Sequence, residues 1–241
     1  MRLDKFLLLK FGLRSRTYAE NLILSGRVTV AGKTELRPAF DIDEDHPAEV
    51  EVIRDEDYAS LGAYKLERAL DGFSLSVEGL DAADIGCSNG GFTDLLLRRG
   101  ARSVLAVDVG ECALPERLLG DHRVTFLRAN ARDLGGVAPV GFLTADLSFI
   151  SLTLVLPSLR SVIAPGGKAV VLVKPQFELG KSALDKRGVV KTEKLALSAL
   201  HTVKDAAMRA GFLVLGSLPS PRRSEKMNRE YLLLLAVPEN A

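Results

Sequence analysis

The sequence predicts an α/β fold, with a mostly parallel sheet that has one antiparallel strand near its edge, preceded by a small α+β domain. From residue 63 onward, apolar strand segments alternate with helical segments, which is typical of a parallel sheet covered by helices. The last two strand segments have no helix between them, which favours an antiparallel pair. Residues 1–57 follow a different pattern, with two short helices and a few alternating residues.

The amino-terminal elements are predicted from the spacing of apolar residues. In the segment 3–9 these residues repeat at three and four positions, which predicts a helix, and a second helix follows from about Ser15 to Leu24. The segments Val28–Val30 and 49–52 alternate as strands do. Together they predict two helices and a small sheet.

The larger domain is predicted to span residues 64–241, after a first domain at residues 1–57 and a linker at residues 58–63. Its first helix is predicted from Tyr64 to Phe73 and its last from about Thr192 to Ala210. Strands are predicted at Ala82–Ile85, Ser103–Val107, Val124–Leu127, Phe142–Ala145, Ala169–Val173, Gly211–Leu215 and Tyr231–Val237.

Composition narrows the class of protein. The chain has 241 residues, of which 47% are apolar, and no apolar run reaches the roughly 20 residues that a membrane helix needs. The amino terminus lacks a signal-peptide pattern, and the two cysteines fit neither a metal motif nor a disulfide framework. These features predict a soluble, cytoplasmic protein with no membrane partner and no metal site.

Charge is segregated along the first 57 residues. Residues 1–40 carry eight Lys or Arg against three acids, a net of +5, and residues 41–57 carry nine acids against one arginine, a net of −8. Such segregation favours a basic binding face with an acidic connector behind it. The alternative of a solvated helix followed by an acidic loop remains open.

A glycine-dense turn at residues 86–91 lies between a predicted strand and a predicted helix, Phe92 to Arg99. Glycine allows the backbone to adopt positive φ and to approach a ligand closely, and the first turn of the helix offers N–H groups to it. This arrangement predicts a cofactor-binding turn. Its spacing, G-x-x-x-G-G, differs from the G-x-G-x-x-G of dinucleotide enzymes.

Polar residues follow three consecutive strands, which predicts a pocket for an adenosine cofactor at the carboxyl edge of the sheet. Asp108 can accept hydrogen bonds from ribose hydroxyls, and residues 130–133 can meet the adenine. NAD would call for the tighter glycine turn, whereas the sulfonium and amino-acid tail of S-adenosylmethionine suit an acid such as Asp84. S-adenosylmethionine is therefore the predicted cofactor. The predicted contacts are Asp84, Gly86, Ser88, Asn89, Gly90, Gly91, Phe92, Asp108, Asn130, Ala131 and Asp146.

Charged residues at strand ends suggest chemistry beside that pocket. Asp146 and Lys174 end the fourth and fifth strands of the larger domain, and Glu230 precedes the last strand. If the last strand is antiparallel, its beginning lies at the same edge, and Lys65 on the preceding helix can complete the group. A lysine in a desolvated cleft can act as a base, so Lys174 would deprotonate a ribose 2′-hydroxyl, with Asp146 and Glu230 orienting it. Lys65 would position the hydroxyl.

The chain resembles the TlyA family nearly end to end; members of that family are named both as hemolysins and as ribosomal RNA 2′-O-methyltransferases. Residues 2–6, 15–16 and 22–30 are similar to the RNA-binding domain named for a small-subunit ribosomal protein. The rest resembles the FtsJ-like methyltransferases in the segments Gly62–Leu66, Gly90–Asp94, Ala145–Leu152, Val173–Glu178 and Asn228–Tyr231.

The resemblance implies a Rossmann-like S-adenosylmethionine-dependent methyltransferase sheet and ribosomal RNA, often at a cytidine, as the substrate. Ribosomal RNA or ribosomal subunits would be the partners. It also implies a catalytic tetrad of Lys65, Asp146, Lys174 and Glu230. The residues expected to contact RNA are Arg2, Lys5, Arg14, Arg16, Arg27, Lys33, Arg222 and Arg223.

Three segments depart from the family pattern. Leu61 replaces an arginine, Glu111–Ala113 replaces the usual residues after Gly110, and Arg222–Met227 replaces a glycine-containing loop. Two alternatives stay open from the sequence: a membrane-active hemolysin, and an RNA-binding protein without methyltransferase activity. The first would need an apolar or amphipathic membrane segment, and none is evident. The intact Lys174 and Glu230 argue against the second.

Overall fold

A computed structural model describes residues 1–13, 16–24, 26–43, 49–52, 58–221 and 227–240. The chain divides into two compact units. The first comprises residues 1–57 with 221–225, and the second comprises residues 58–220 with 226–241. The boundary near residue 57 follows the change in sequence pattern, from short alternating segments to alternating helices and buried strands.

The described residues form eight α-helices and ten strands. The helices are α1 Leu3–Phe11, α2 Arg16–Leu24, α3 Ala63–Gly72, α4 Gly91–Arg98, α5 Glu116–Leu119, α6 Leu156–Ser161, α7 Pro175–Glu178 and α8 Glu193–Arg209. The strands are β1 Val28–Val30, β2 Lys33–Thr34, β3 Val50–Val52, β4 Asp81–Ile85, β5 Ser103–Asp108, β6 Val124–Arg128, β7 Val140–Ala145, β8 Ile163–Val173, β9 Leu213–Pro219 and β10 Tyr231–Ala236.

The first unit contains α1 and α2, which pack on each other, and a three-stranded antiparallel sheet of order β2-β1-β3. Leu3, Leu7 and Ile23 are fully buried, as the helical spacing predicts. The strand β2 was not predicted, because both of its residues are polar and exposed and so carry no alternation. It pairs with β1 across a tight turn at Ala31-Gly32, where both residues have positive φ.

A fully buried carboxylate, that of Asp4, connects the two helices of the first unit. It accepts hydrogen bonds from Arg2 Nε and Nη2 at 3.1 and 2.8 Å and from Arg16 Nε at 3.0 Å. It also accepts the backbone N–H of Lys5 at 2.8 Å. Burial alone would raise the pKa of Asp4, but the hydrogen bonds from the two arginines and from Lys5 outweigh it and lower the pKa to about 2.

The second unit contains a seven-stranded sheet of order β6-β5-β4-β7-β8-β10-β9. The strands β6, β5, β4, β7 and β8, which are neighbours in that order, are mutually parallel. The strand β10 runs antiparallel to both of its neighbours, β8 and β9. After β4 the chain adds β5 and β6 on one side and then crosses over to add β7 and β8 on the other side. Ligands of such sheets bind at this switch point, outside the carboxyl ends of β4 and β7. The predicted fold class is confirmed. The register places Tyr231, the first residue of β10, opposite Val173, the last residue of β8.

Helices cover both faces of this sheet, so the strands are buried on both sides as a parallel sheet requires. On one face, Ile85, Leu143 and Val171 pack with residues of α6 and α8. On the other face, Phe142 and Leu172 pack with residues of α3, α4 and α5. The two apolar layers hold the carboxyl ends of the strands in a rigid row.

Residues 58–63, which the sequence predicts as a linker, belong to the second unit. Tyr58 is buried and its hydroxyl donates to Glu67 at 2.9 Å. The N–H of Ala59 donates to Asp94 at 2.7 Å. The segment is polar in sequence, but these contacts dock it onto α3 and α4. Separately, none of the helices described here has both the length and the apolarity to cross a bilayer.

We expect Asp4→Asn to destabilise the first unit by about 1–3 kcal/mol, because two arginines lose a buried charged acceptor. Hydrogen exchange of the α1 amides in the full chain measures the change. Because the folded pKa of Asp4 lies below its ordinary value, its contribution is present above about pH 4 and is lost as the pH falls toward 2.

Asp41→Asn is the matched control for Asp4→Asn. The Asp41 side chain is 89% exposed and pairs with the amino terminus at 3.2 Å, so its loss should change stability by less than about 0.5 kcal/mol. Equal protection of α1 in the two variants would contradict the structural role of Asp4.

Candidate active site

Four charged side chains predicted from the sequence meet at the carboxyl edge of the large sheet. Lys65 projects from the first turn of α3, and Asp146 directly follows β7. Lys174 follows β8 and is the residue before Pro175, which begins α7. Glu230 precedes β10 by one residue, and the antiparallel direction of β10 brings it to the same edge.

The four groups form a chain of alternating charge. Lys174 Nζ lies 2.7 Å from Asp146 Oδ1, and Lys65 Nζ lies 3.9 Å from Asp146 Oδ2. Lys65 Nζ also donates a hydrogen bond to Glu230 Oε2 at 2.8 Å. All four side chains are largely buried, with Lys174 the least exposed at 11%. Alternation keeps the cluster neutral, which is how four partly buried charges can coexist.

Lys174 is held by two neighbours on the loop after β7. Its Nζ donates a hydrogen bond to Ser148 Oγ at 2.8 Å, in addition to the ion pair with Asp146. Asp146 Oδ1 accepts no hydrogen bond of good geometry from the described residues, although Lys174 lies within reach. That contact is therefore an ion pair, and Ser148 accepts the directional hydrogen bond of the amine.

An exposed aromatic residue stands beside the four charges. Phe149 is 92% exposed and has φ of +63°, a conformation that non-glycine residues rarely adopt. Its ring lies 5.2 Å from the ring of Phe177, which is itself 5.9 Å from Lys174 Nζ. Sequence reasoning missed Phe149, because its conformation and exposure are visible only in the fold.

Glu178 ties the loop after β7 to the helix after Lys174. Its carboxylate accepts a hydrogen bond from Ser151 Oγ at 2.5 Å and from the backbone N–H of Leu152 at 2.9 Å. Burial raises the pKa of Glu178, and the two hydrogen bonds offset part of that shift. The loop that carries Asp146 and Phe149 is thereby joined to the helix that carries Phe177.

The glycine turn lies next to this cluster and is shaped by close contacts. Gly86 has φ of +84°, and a Cβ there would lie 2.7 Å from the carbonyl oxygen of Asp146. Gly90, the residue before α4, has φ of +78° and provides no side-chain cap for the helix. A Cβ on Gly90 would lie 2.7 Å from the side chains of Leu114 and Leu118. The first-turn N–H groups of α4 lack intrahelical acceptors. That of Thr93 faces the buried Asp84 carboxylate, and those before it can meet a polar ligand group.

Asp108 ends β5 and braces the same turn. Its carboxylate accepts the N–H of Ser88 and the N–H of Gly110, each at 2.9 Å. A carboxylate can accept about four hydrogen bonds, so ribose hydroxyls can still be bound. Ser88 and Asn89 are exposed in the turn, and Asn130 and Ala131 follow β6, as the predicted pocket requires. Asn130 Oδ1 accepts the N–H of Arg132 at 3.0 Å.

The predicted direct role of Asp84 in cofactor binding is not supported by its position. Its side chain is fully buried and accepts hydrogen bonds from Thr93 Oγ1 at 2.7 Å and Thr144 Oγ1 at 3.1 Å. Burial raises the pKa of Asp84 to about 6, partly offset by the two hydroxyls. The Asp84 side chain lies between the sheet and α4, so its carboxylate joins β4 to β7 through Thr144 and to α4 through Thr93.

Two other predicted contacts, Gly91 and Phe92, are also buried. Phe92 is part of the core, and a Cβ on Gly62 would lie 3.7 Å from its ring. A Cβ on Gly91 would collide with Ser60, so this glycine permits the segment before α3 to pack on α4. Both residues support the turn from within rather than line it.

Asp94 was not predicted and is the main polar contact of α4. It accepts hydrogen bonds from Ala59 N–H, Arg98 Nε at 3.0 Å and Arg117 Nη1 at 2.9 Å. Burial alone would raise the pKa of Asp94, but these hydrogen bonds outweigh it and hold the pKa below its ordinary value. The residue joins α4 to α5 and to the segment before α3.

The residues predicted to contact RNA lie in different environments. In the first unit, Lys5 and Lys33 are exposed, Arg27 is half-buried, and Arg2 and Arg16 are half-exposed while pairing with Asp4. The positions Arg14, Arg222 and Arg223 lie outside the described residues.

Comparison with known proteins identifies the family. The family model of the FtsJ-like methyltransferases matches residues 58–237, and that of the S4 domain matches residues 1–46. Over 238 residues the chain is 39% identical to the 16S/23S rRNA (cytidine-2′-O)-methyltransferase TlyA of Mycobacterium tuberculosis, a match that covers 97% of this chain and 89% of the relative. The chain belongs to the TlyA family.

Other TlyA-family proteins bear a second name. The chain is 34% identical to Hemolysin A of Brachyspira hyodysenteriae, over 96% of this chain and 98% of the relative. A solved structure named as a hemolysin from Streptococcus thermophilus has a TM-score of 0.72 and 35% identity, and covers 99% of this chain and 89% of that one. An S-adenosylmethionine-dependent methyltransferase of Mesorhizobium loti, with a TM-score of 0.54 and 19% identity, shares the fold over 70% of this chain and 95% of its own.

Membership of the TlyA family confirms two predictions, the enzyme class and the cofactor. The protein is a methyltransferase, and S-adenosylmethionine is its cofactor. The glycine turn, the open first turn of α4 and Asp108 fit that cofactor, because they offer close backbone approach, N–H donors and a carboxylate acceptor. The individual contacts remain predictions.

We expect Gly86→Ala to weaken S-adenosylmethionine binding by at least about tenfold, or roughly 1.4 kcal/mol, as measured by calorimetry. The added methyl group would push the turn away from the Asp146 carbonyl. Gly136→Ala is the control, since Gly136 has a similar φ of +82° but no atom within 4 Å of an added methyl carbon. Equal affinities of the two variants would contradict the role of this close approach.

Proposed function

We propose that this protein transfers a methyl group from S-adenosylmethionine to a ribose 2′-hydroxyl of ribosomal RNA, at a cytidine. The observation that carries the proposal is the neutral chain Lys174–Asp146–Lys65–Glu230 beside the glycine turn. The name of the Mycobacterium tuberculosis relative supports the substrate and the nucleotide. Amine and carboxylate groups at a cofactor pocket suit a hydroxyl that must lose a proton during attack.

In the proposed reaction Lys174 acts as a neutral amine: its Nζ lone pair takes the proton of the 2′-hydroxyl as the hydroxyl oxygen attacks the methyl carbon. The ammonium that results pairs with Asp146, as in the structure. Asp146 and Ser148 hold this amine from two sides, at 2.7 and 2.8 Å, so its direction is fixed before the hydroxyl arrives. Bound S-adenosylmethionine would supply an electrophilic methyl carbon, and its sulfur would leave as a neutral thioether when the carbon–sulfur bond breaks. The chain contributes orientation, because reacting groups that are held in line need no further ordering.

Lys65 has a different role in the proposal. Its ammonium is held by Glu230 at 2.8 Å and lies 3.9 Å from Asp146 Oδ2, so it can place a hydrogen bond on the ribose oxygen while Asp146 stays paired. Glu230 acts through Lys65 rather than on the hydroxyl itself. The four charges thus act as two pairs, Lys174 with Asp146 and Lys65 with Glu230. The two pairs are linked because Lys65 also lies near Asp146.

Phe149 is proposed to stack on the base of the target nucleotide. A base that is turned out of an RNA helix needs a flat apolar surface, and stacking on an aromatic side chain contributes about 1–3 kcal/mol per base. The ring of Phe149 is exposed, backed by Phe177 and adjacent to Lys174 through that second ring. These contacts support a stacking platform next to the proposed proton acceptor.

The first unit is proposed to bind ribosomal RNA or ribosomal subunits. Its match to the S4 domain and its net charge of +5 over residues 1–40 support this role. Among its described residues, Arg2, Arg16, Lys5 and Lys33 have the exposure that phosphate contacts require. Action on ribosomal RNA also supports the expectation of a cytoplasmic protein.

We expect Lys174→Ala to abolish methyl transfer to ribosomal subunits, by at least about 10²-fold, because the proposed base is removed. Cofactor affinity should stay within about threefold of the wild type, since Lys174 is assigned to the hydroxyl. Transfer of labelled methyl groups and calorimetry measure the two effects.

Lys168→Ala is the matched control for Lys174→Ala. Lys168 lies on the same strand, but it pairs with Ala236 at the opposite edge of the sheet and is exposed. Its variant should retain full activity. Wild-type rates in Lys174→Ala would overturn the proposed role of Lys174.

We expect Phe149→Ala to reduce kcat/KM for the RNA by about tenfold or more while cofactor binding is unchanged, and Phe149→Tyr to retain most activity. Leu154→Ala removes another exposed apolar side chain, 57% exposed, and should have little effect. Steady-state methylation assays compare the three variants. If Phe149→Ala behaves like Leu154→Ala, the proposed stacking role is wrong.

A further inference from the structure

A basic hairpin, residues 180–191, projects from the active-site edge of the sheet. It follows α7, and its two arms meet at an isolated bridge between Leu184 and Val190. Its tip is a tight turn in which the N–H of Gly188 donates to the carbonyl of Asp185 at 3.0 Å. The hairpin is therefore a defined element of the second unit.

The tip of the basic hairpin is rigid and strongly positive. The Asp185 carboxylate accepts the N–H groups of Arg187 at 2.8 Å and Val189 at 2.9 Å, which holds the turn from within. Lys186 and Arg187 occupy its two central positions and are exposed. The Arg187 guanidinium pairs with Asp185 at 3.2 Å, and 66% of the Arg187 side chain stays exposed. The hairpin carries four Lys or Arg against one acid, a net charge of +3.

Asn228 fastens the basic hairpin to the active site. Its side-chain oxygen accepts the N–H of Val190 at 2.8 Å, and its side-chain nitrogen donates to the carbonyl of Gly188 at 3.0 Å. Asn228 precedes Glu230 by two residues, or at most about 7 Å of backbone. Next to it, Arg229 pairs with Glu193 at the start of α8, so the segment before β10 is held on both sides.

The other end of the basic hairpin is tied to Lys174. The chain passes from Lys174 through α7 directly into residue 180. Val190 also packs against the core cluster beneath the sheet. The hairpin is therefore connected to one residue of the catalytic group through the backbone and to another through the Asn228 side chain.

We infer that the basic hairpin binds the phosphate backbone of the substrate RNA, and that Asn228 is a positioning residue that couples this contact to Glu230 and Lys65. The inference rests on the proposed function for the identity of the RNA. Exposed Lys186 and Arg187 provide the charge that phosphates require, and their rigid turn fixes where a strand would lie. A strand held there meets the edge of the sheet at which the four catalytic charges lie.

The first test removes the charge at the tip. We expect the double variant K186A/R187A to bind ribosomal RNA about tenfold more weakly and to lower the slope of log affinity against log salt by about 1.5, since each phosphate contact contributes roughly 0.7–0.9. Filter binding with the full chain measures both.

The control removes the same two residue types at the opposite edge of the sheet. Lys168 lies opposite Ala236, the last residue of β10. Arg209 ends α8 four residues before Leu213, which also lies opposite Ala236. Both are exposed. The variant K168A/R209A should bind with wild-type affinity and salt slope. Equal slopes for the two double variants would overturn the RNA contact.

The second test addresses the coupling. Asn228→Ala should lower kcat by about tenfold, because Glu230 loses its support. When K186A/R187A is added to the Asn228→Ala protein, kcat/KM should change by less than about threefold. Asn228→Asp keeps the acceptor for Val190 and loses the donor to Gly188, so its effect should be smaller. If the effects of Asn228→Ala and K186A/R187A simply multiply, the coupling is wrong.

The two tests separate this inference from the proposed function. Binding and salt slope are measured without methyl transfer, so a loss of slope in K186A/R187A supports the hairpin contact even if no 2′-hydroxyl is methylated. A wild-type protein that methylates ribosomal RNA while K186A/R187A matches its control would leave the proposed function intact and overturn the inference. A thermal midpoint within a few degrees of wild type confirms that each variant is folded.

Discussion

The pairing of β10 with β8 is the constraint on which the active site depends. With Tyr231 opposite Val173, the residues just outside these two paired positions, Glu230 and Lys174, come to the same edge of the sheet. A shift of the register by one residue would turn every side chain of β10 to the other face. Tyr231, Leu233 and Leu235 pack in one core layer and Leu232 and Leu234 pack in the other, so such a shift would move each side chain into a layer that it does not fit. The position of Glu230 therefore follows from hydrophobic burial, and the hydrogen bond to Lys65 follows from that position.

A second constraint joins the cofactor turn to the catalytic loop. The backbone of Gly86 approaches the Asp146 carbonyl more closely than any side chain would allow. Below that contact, Asp84 connects the neighbouring strands and α4 through Thr93 and Thr144. Glu178 then links the loop after Asp146 to the helix after Lys174. The proposed base, its ion-pair partner and the cofactor turn are thus held as one rigid group, which is the arrangement that catalysis by orientation requires.

The sequence was sufficient to predict the sheet, the antiparallel final strand and the four charges that meet at its edge. Periodicity and strand ends can be predicted from residues that are neighbours in the chain. It was less informative where the direction of a side chain decides its role. Asp84 has the chemistry of a ligand contact, but its place on β4 turns it into the core. The roles of Asp94, Glu178 and Asn228 depend on partners that are 23 to 40 residues away, such as Arg117 and Gly188. Phe149 could not be identified either, since its exposure and positive φ arise from the loop that the strands position.

Nucleoside analysis of ribosomal RNA by mass spectrometry, from cells with and without this protein, tests the central claim most directly. We expect one or more ribonucleosides to carry a methyl group on the ribose 2′-oxygen only when the protein is present. A methyl group that appears on a base instead, or identical methylation in the two samples, would contradict the assignment of the four charges to a ribose hydroxyl.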